Sequence, residues 1–135
     1  MIKRWLANRG TLPSKLRAEL EAEGLLVLEE RLAGEVIYRG YTAMGQRPQS
    51  GDQSTIASLA LTAKRLVVHG TQSVQLQAPP GPVTSSVPEP ELLVLAYDAS
   101  DIYTSRSGSV TIRLKTPRAN DVHARLQAWN ETSTS

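Results

Sequence analysis

The 135-residue chain contains no cysteine, which excludes a disulfide framework, a thiol nucleophile and any thiolate metal site. Two histidines, His69 and His123, offer little for an imidazole metal cage or a histidine relay. There is no phenylalanine, and the aromatic residues are two tryptophans and four tyrosines. With no ribonucleoprotein-type motif beside them, base-stacking readout of nucleic acid is disfavoured. No run approaches the ~18 apolar residues of a membrane-spanning helix. No Gly-x-Gly-x-x-Gly opens a helix and no Walker spacing ends in Gly-Lys, so no phosphate-cradling loop is legible. Ser100 lacks a Gly-x-Ser-x-Gly setting. Asp98 and Ser100 read as turn residues that bond local amides. These absences point away from an enzyme, a cofactor and a metal site.

Hydrophobic residues make up 40% of the chain and charged residues 21%, the balance of one folded domain. The net charge of +2 hides alternating blocks: +5 over 1–17, −5 over 18–35, +3 over 36–70, −3 over 71–100 and +2 over 101–135. A nucleic-acid binder carries a stronger one-signed stripe, and a mixed surface is the simpler reading. Glu19, Glu21, Glu23, Glu29 and Glu30 read as a solvated acidic face rather than a cation site, since the first three point different ways on a helix. The start, Met1–Ala7, lacks the 7–15-residue apolar core of a secretion signal, which makes the cytoplasm the expected location. Ile2, Trp5 and Leu6 with Lys3, Arg4 and Arg9 allow one short amphipathic turn, a weak membrane contact at most.

Ser14–Gly24 reads as a short helix with Ser14 as cap and Gly24 as left-handed stop. Leu16 and Leu20 share a face one turn apart, while Lys15 and Arg17 early and Glu21 and Glu23 late oppose the helix dipole. The period then drops to two. Leu26, Leu28 and Leu32 are expected on one side of a first strand, Gly34 in a turn, and Glu35–Tyr41 in a second. Met44–Ser54 reads as a loop, and Ala57, Leu59 and Leu61 mark a third strand. Thr62–Arg65 reads as a tight reversal into Leu66–His69, and Val74–Gln77 as a half-exposed strand. Ala78–Glu91, with five prolines, reads as a surface excursion. Leu92–Tyr97 is the most continuously apolar run and reads as a central, doubly covered strand. Val110, Ile112 and Leu114 point inward from the last strand, with Thr111, Arg113 and Lys115 outward. Thr116 caps a final helix with Pro117 at its first position, and Val122, Leu126 and Trp129 form its apolar stripe. The expected organisation is an N-terminal segment with a short helix (1–23), a β domain (24–130) and a disordered tail (131–135).

Two stretches carry a resemblance. Ser58–Gly70, SLALTAKRLVVHG, resembles the strand–turn–strand signature of bacterial pleckstrin-homology-like domains. Leu92–Trp129 is similar to the last hairpin and closing helix of the same superfamily, including its GRAM-type members. The likeness covers about Gly24–Trp129. It implies a mainly β fold: a seven-stranded barrel or sandwich of two near-orthogonal sheets, closed by the C-terminal helix and preceded by a short N-terminal helix. It also implies a binding scaffold, since such barrels take phosphoinositides, proteins or no known ligand, and a fold alone does not license a function. Glu29 and Glu30 in the first strand, and Glu35 beside Gly34, depart from the phosphoinositide-clamping pattern.

On that fold the turns Arg31–Gly34, Thr62–Arg65 and Ser100–Gly108 are expected to meet at one rim and bring Arg31, Lys64, Arg65 and Arg106 together as a ligand-binding group. The expected function is a non-catalytic module that binds a protein or peptide, or self-associates, through open strand edges. The alternative is peripheral binding of anionic phospholipid or a phosphate-bearing ligand at the basic rim.

Overall fold

From Leu25 to Ala43 the chain forms one 19-residue strand, β1, in the computed structural model, which describes residues 12–43, 49–70, 75–78, 82–102 and 106–134. The helix α1 (Ser14–Ala22) precedes it. After it come β2 (Gln49–Thr62), β3 (Leu66–Gly70), β4 (Gln75–Ala78), β5 (Thr84–Glu89), β6 (Leu92–Asp98) and β7 (Arg106–Lys115), and then α2 (Ala119–Thr134). The strands make one antiparallel sheet in the order β4-β3-β2-β1-β7-β6-β5. The fold is mainly β, with seven strands curled into a half-barrel, a short N-terminal helix and a C-terminal helix. The two sheets implied by the resemblance are therefore one continuous, curled sheet.

The seven strands are partitioned differently from the sequence expectation. The expected turn at Arg31–Gly34 does not exist, because Gly34 lies inside β1, opposite Thr55 of β2 and Leu114 of β7. A Cβ at Gly34 would overlap the Arg113 carbonyl oxygen and come 2.9 Å from Leu114 Cδ2. Glycine here permits close approach of two backbones rather than a reversal. The missing strand is β5, which lies within the proline-rich stretch. As an edge strand it tolerates Pro88, which donates no ladder hydrogen bond. The expected loop Met44–Ser54 is shorter than predicted, since β2 already begins at Gln49.

β1 changes which parity of residue faces the core. Val27 faces it first, then Leu32, Val36 and Tyr38, then Tyr41. The register slips between Glu29 and Leu32 and again between Tyr38 and Tyr41, where Arg31 (φ 60°) and Gly40 (φ 64°) adopt left-handed backbone. An extra residue at each bulge moves all that follows to the opposite face. That corrects the predicted Leu26–Leu28–Leu32 side: Val27 is buried, Leu28 packs beside α1, and Leu26 is 44% exposed.

The main core lies on one sheet face. Val110, Ile112 and Leu114 enter it from β7, Leu93 and Leu95 from β6, and Ala119, Val122 and Leu126 from α2. The inward residues of β7 and two of the three expected α2 stripe residues match the sequence reading; Trp129 is of intermediate burial. Thr116 Oγ1 accepts from the Arg118 amide, but α2 starts at Ala119, so Pro117 sits in the preceding turn. The helix continues to Thr134, past the expected start of the polar tail. A smaller cluster of Leu12, Leu20, Ala60 and Val67, flanked by Leu16, Leu25 and Leu28, seats α1 on the outer face of β2 and β3. Ser14 is the first helical residue and Pro13 stands at the N-cap without a side-chain bond. Gly24 (φ 90°) turns the chain from α1 into β1 as expected.

The amphipathic turn over residues 2–9 lies outside the described residues, as do residues 44–48, Val74 and residues 103–105 of the Ser100–Gly108 turn. Among the described residues no helix is long and apolar enough to cross a membrane.

Candidate functional site

Antiparallel pairing determines which connections share an end of the sheet. Leu25 pairs with Thr62, so the β2–β3 turn carrying Lys64 and Arg65 leaves from the end where β1 begins. Ala43 pairs with Arg106, so that arginine sits where β1 finishes. The two ends are on the order of 60 Å apart measured along the strand, at ~3.3 Å per residue. Arg31 belongs to a bulge within β1. The three expected turns therefore do not meet at a rim, because one of them is strand and the other two lie at opposite ends.

Lys64 and Arg65 do lie together, but Arg65 is committed to the chain's own carboxylates. Its Nη2 stands 2.7 Å from Glu23 Oε2 and its Nε 3.1 Å from Glu23 Oε1. Nη1 donates to Gln77 at 2.9 Å, and Glu19 lies 3.6 Å from Nη2. The Thr62 hydroxyl also donates to Glu23. This fork joins the end of α1 to the β2–β3 turn and to β4, the bidentate geometry in which arginine differs from lysine. The hydrogen bond from Arg65 holds the Glu23 carboxyl below its ordinary pKa against the opposing effect of desolvation. The Thr62 hydroxyl and the charges of Arg65 and Lys64 add to the lowering.

The more concave site is on the outer face, where β1 and β7 run side by side under the β5–β6 turn. It is a groove of about 470 Å³. Ala33, Gly34 and Leu92 give it an apolar part; Glu35, Arg113 and Lys115 line its sheet, and Glu89, Pro90 and Glu91 its turn. Register places Glu35 opposite Arg113, and the two form an ion pair of 3.2 Å. The turn is anchored to the end of β7 by a 2.8 Å bond from the Thr116 amide to the Glu91 carbonyl. Glu91 has φ 63°, and besides Arg31 it is the non-glycine residue with left-handed backbone among the described residues. Arg113 is thus neutralised within the groove. The side chains of Lys115, Glu89 and Glu91 make no ion pair or hydrogen bond among the described residues, so they are available to a ligand. Such a surface can hold an extended segment by its apolar strip and by charges of either sign.

A second polar pair ties β5 to α2: Ser85 Oγ lies 2.7 Å from His123 Nδ1. His123 lies off the apolar stripe of α2 and is partly buried. A hydroxyl beside an imidazole is two parts of a nucleophile–base–orienter set, and among the described residues no carboxylate bonds the other ring nitrogen. Asp98 accepts from both the amide and the hydroxyl of Ser100, at 2.9 and 2.6 Å, as a turn residue should. These bonds lower its pKa. Among the described residues no three or more His, Asp or Glu side chains are grouped to hold a metal ion.

The outward alternation of Arg113 and Lys115 is visible in the sequence, but nothing in chain order brings Glu89–Glu91 beside them. Only the pairing of β6 with β7, which sets Leu92 against Lys115, does so. Comparison with family models, with curated proteins and with solved structures finds no match to this chain.

Proposed function

We propose that the chain is a non-catalytic interaction module that takes an extended protein segment in the outer-face groove between β1, β7 and the β5–β6 turn. The observation that carries this reading is the coexistence, in one concavity, of an apolar strip and of Lys115, Glu89 and Glu91, whose side chains form no ion pair or hydrogen bond among the described residues. Binding sites need a few polar groups that fix orientation beside apolar surface that supplies affinity. The phosphate-ligand alternative is less well supported, because Arg65 is already bound by Glu23 and Arg106 lies at the other end of the sheet.

The test is selection of peptides from a displayed random 12-residue library on the full chain, followed by titration of the selected peptides into isotope-labelled protein. Binding should shift the amides of residues 33–35 and 113–115, and Lys115→Glu or the pair Glu89→Lys with Glu91→Lys should weaken it at least tenfold. Peptides that bind equally well to all three proteins would refute the reading. So would binding only to anionic vesicles that vanishes as salt is raised, the signature of screened charge contacts.

A further inference from the structure

We propose that α1 is exchanged between two copies of this chain, the helix of each lying on the β2–β3 face of the other. This uses a different part of the outer face, over β2 and β3 rather than over β1 and β7, and stands independently of the groove. Three observations lead to it.

The first is that α1 has little of its own to hold it beyond one exposed ion pair, Arg17 to Glu21 at 3.2 Å. It has nine residues, no side-chain bond at its N-cap, no acidic residue in its first turn and no basic residue in its last. Isolated helices of this length are marginal even with favourable sequences, so α1 persists because a sheet face holds it. Second, the seat holds the helix and its flanks through defined contacts. Leu20 is fully buried against Ala60 and Val67, Glu23 takes both arms of Arg65, Arg17 reaches Glu30 at 3.3 Å, and the Leu12 amide donates to the same carboxylate. A second copy's α1 carries the same groups and would satisfy each of these contacts.

The third observation is the hinge. One residue, Gly24, folds α1 back onto its own sheet by adopting φ 90°, and open space surrounds it. Glycine reaches extended backbone equally well, and an extended Gly24 would send α1 outward. Two residues further on, Leu26 is the large hydrophobic side chain that remains exposed among the described residues. Two copies joined at their hinges would bring these leucines toward a common surface. Exchange of an identical terminal element is a low-cost route to a twofold dimer, and short hinges favour it.

The ion pair supplies the test. Glu23→Arg sets two guanidinium groups face to face within one chain, and Arg65→Glu sets carboxylates face to face. In a mixture of the two full-length variants, exchange restores an opposite-charge pair at both seats. We expect each variant alone to be monomeric at micromolar concentration by light scattering. The mixture should give a 1:1 heterodimer by native mass spectrometry, associating at least tenfold more tightly than either variant with itself. Gly24→Pro, which cannot adopt φ 90° and also disfavours the helical backbone of Glu23, should raise the dimer fraction of the otherwise unaltered chain. A mixture that remains monomeric, or that dimerises no better than its components, overturns the proposal.

Discussion

Gly34→Ala is the most informative single substitution in the sheet. In an ordinary strand, alanine in place of glycine stabilises by about 0.5–1 kcal/mol through the lost freedom of the unfolded chain. At Gly34 the sign reverses, because the new methyl would overlap the Arg113 carbonyl oxygen and crowd Leu114 Cδ2 at 2.9 Å. Both are parts of β7, and the oxygen is backbone, which cannot rotate away. Overpacking of this kind costs about 1–3 kcal/mol, and a rigid backbone contact belongs at the upper end, so the net loss should be about 2 kcal/mol. For a chain of this length that lowers Tm by roughly 6–10 °C. Gly40→Ala is the control. Gly40 has φ 64° but nothing within 4 Å of an added Cβ, so its cost is left-handed strain alone, about 1 kcal/mol. Gly108→Ala combines both penalties, since it has φ 101° and its Cβ would overlap the Gly40 carbonyl oxygen; it should be the worst of the three. Thermal melts of the three variants give the order Gly40, Gly34, Gly108 from mildest to most severe. A Gly34→Ala protein as stable as the parent would mean that β1 and β7 are not in contact there, and the floor of the groove would have to be redrawn.

Leu126→Ala removes the largest buried α2 side chain of the main core, which is 1% exposed. It should cost about 2–5 kcal/mol and shift the denaturant midpoint accordingly; a loss below about 1 kcal/mol would show that α2 is not part of the core. Acid should act on the α1 latch. The folded Glu23 pKa lies below its ordinary value, chiefly through the Arg65 hydrogen bond, so its stabilising contribution is complete above the unfolded pKa and is lost as pH falls through the folded one. The Tm difference between the parent and Glu23→Gln should therefore be constant near neutrality and close below about pH 4.5. A difference unchanged down to pH 3 refutes the linkage.

The sequence was easiest to read where the period of two ran without interruption. On β7 the alternation of Val110, Ile112 and Leu114 with Thr111, Arg113 and Lys115 places each side chain correctly, because no bulge breaks it. On β1 the same logic misplaces Leu26 and Leu28, since the bulge at Arg31 resets the parity and an arginine, unlike a glycine, gives no signal of left-handed backbone in the sequence. Gly34 reads as a turn because a glycine that permits two strands to touch and a glycine that turns the chain look alike without the neighbouring strand. Proline hid β5 for a related reason, as its missing donor matters only if a neighbour needs it. The bond between Arg65 and Glu23 spans 42 positions, and the groove joins residues from Ala33 to Lys115. Both sites depend on register, which no local pattern records.

The placement of β1 between β2 and β7 has a consequence for how the molecule is made. During synthesis its first partner follows within a few residues, but the second, ending at Lys115, leaves the ribosome roughly 70 residues later, about 4–14 s at ordinary translation rates. Throughout that interval the nascent chain presents a long unpaired border from Gly34 to Ala43, the kind of border that recruits stray strands. Arg39 and the left-handed kink at Gly40 lie along that border, where charge and twist discourage wrong partners until β7 arrives.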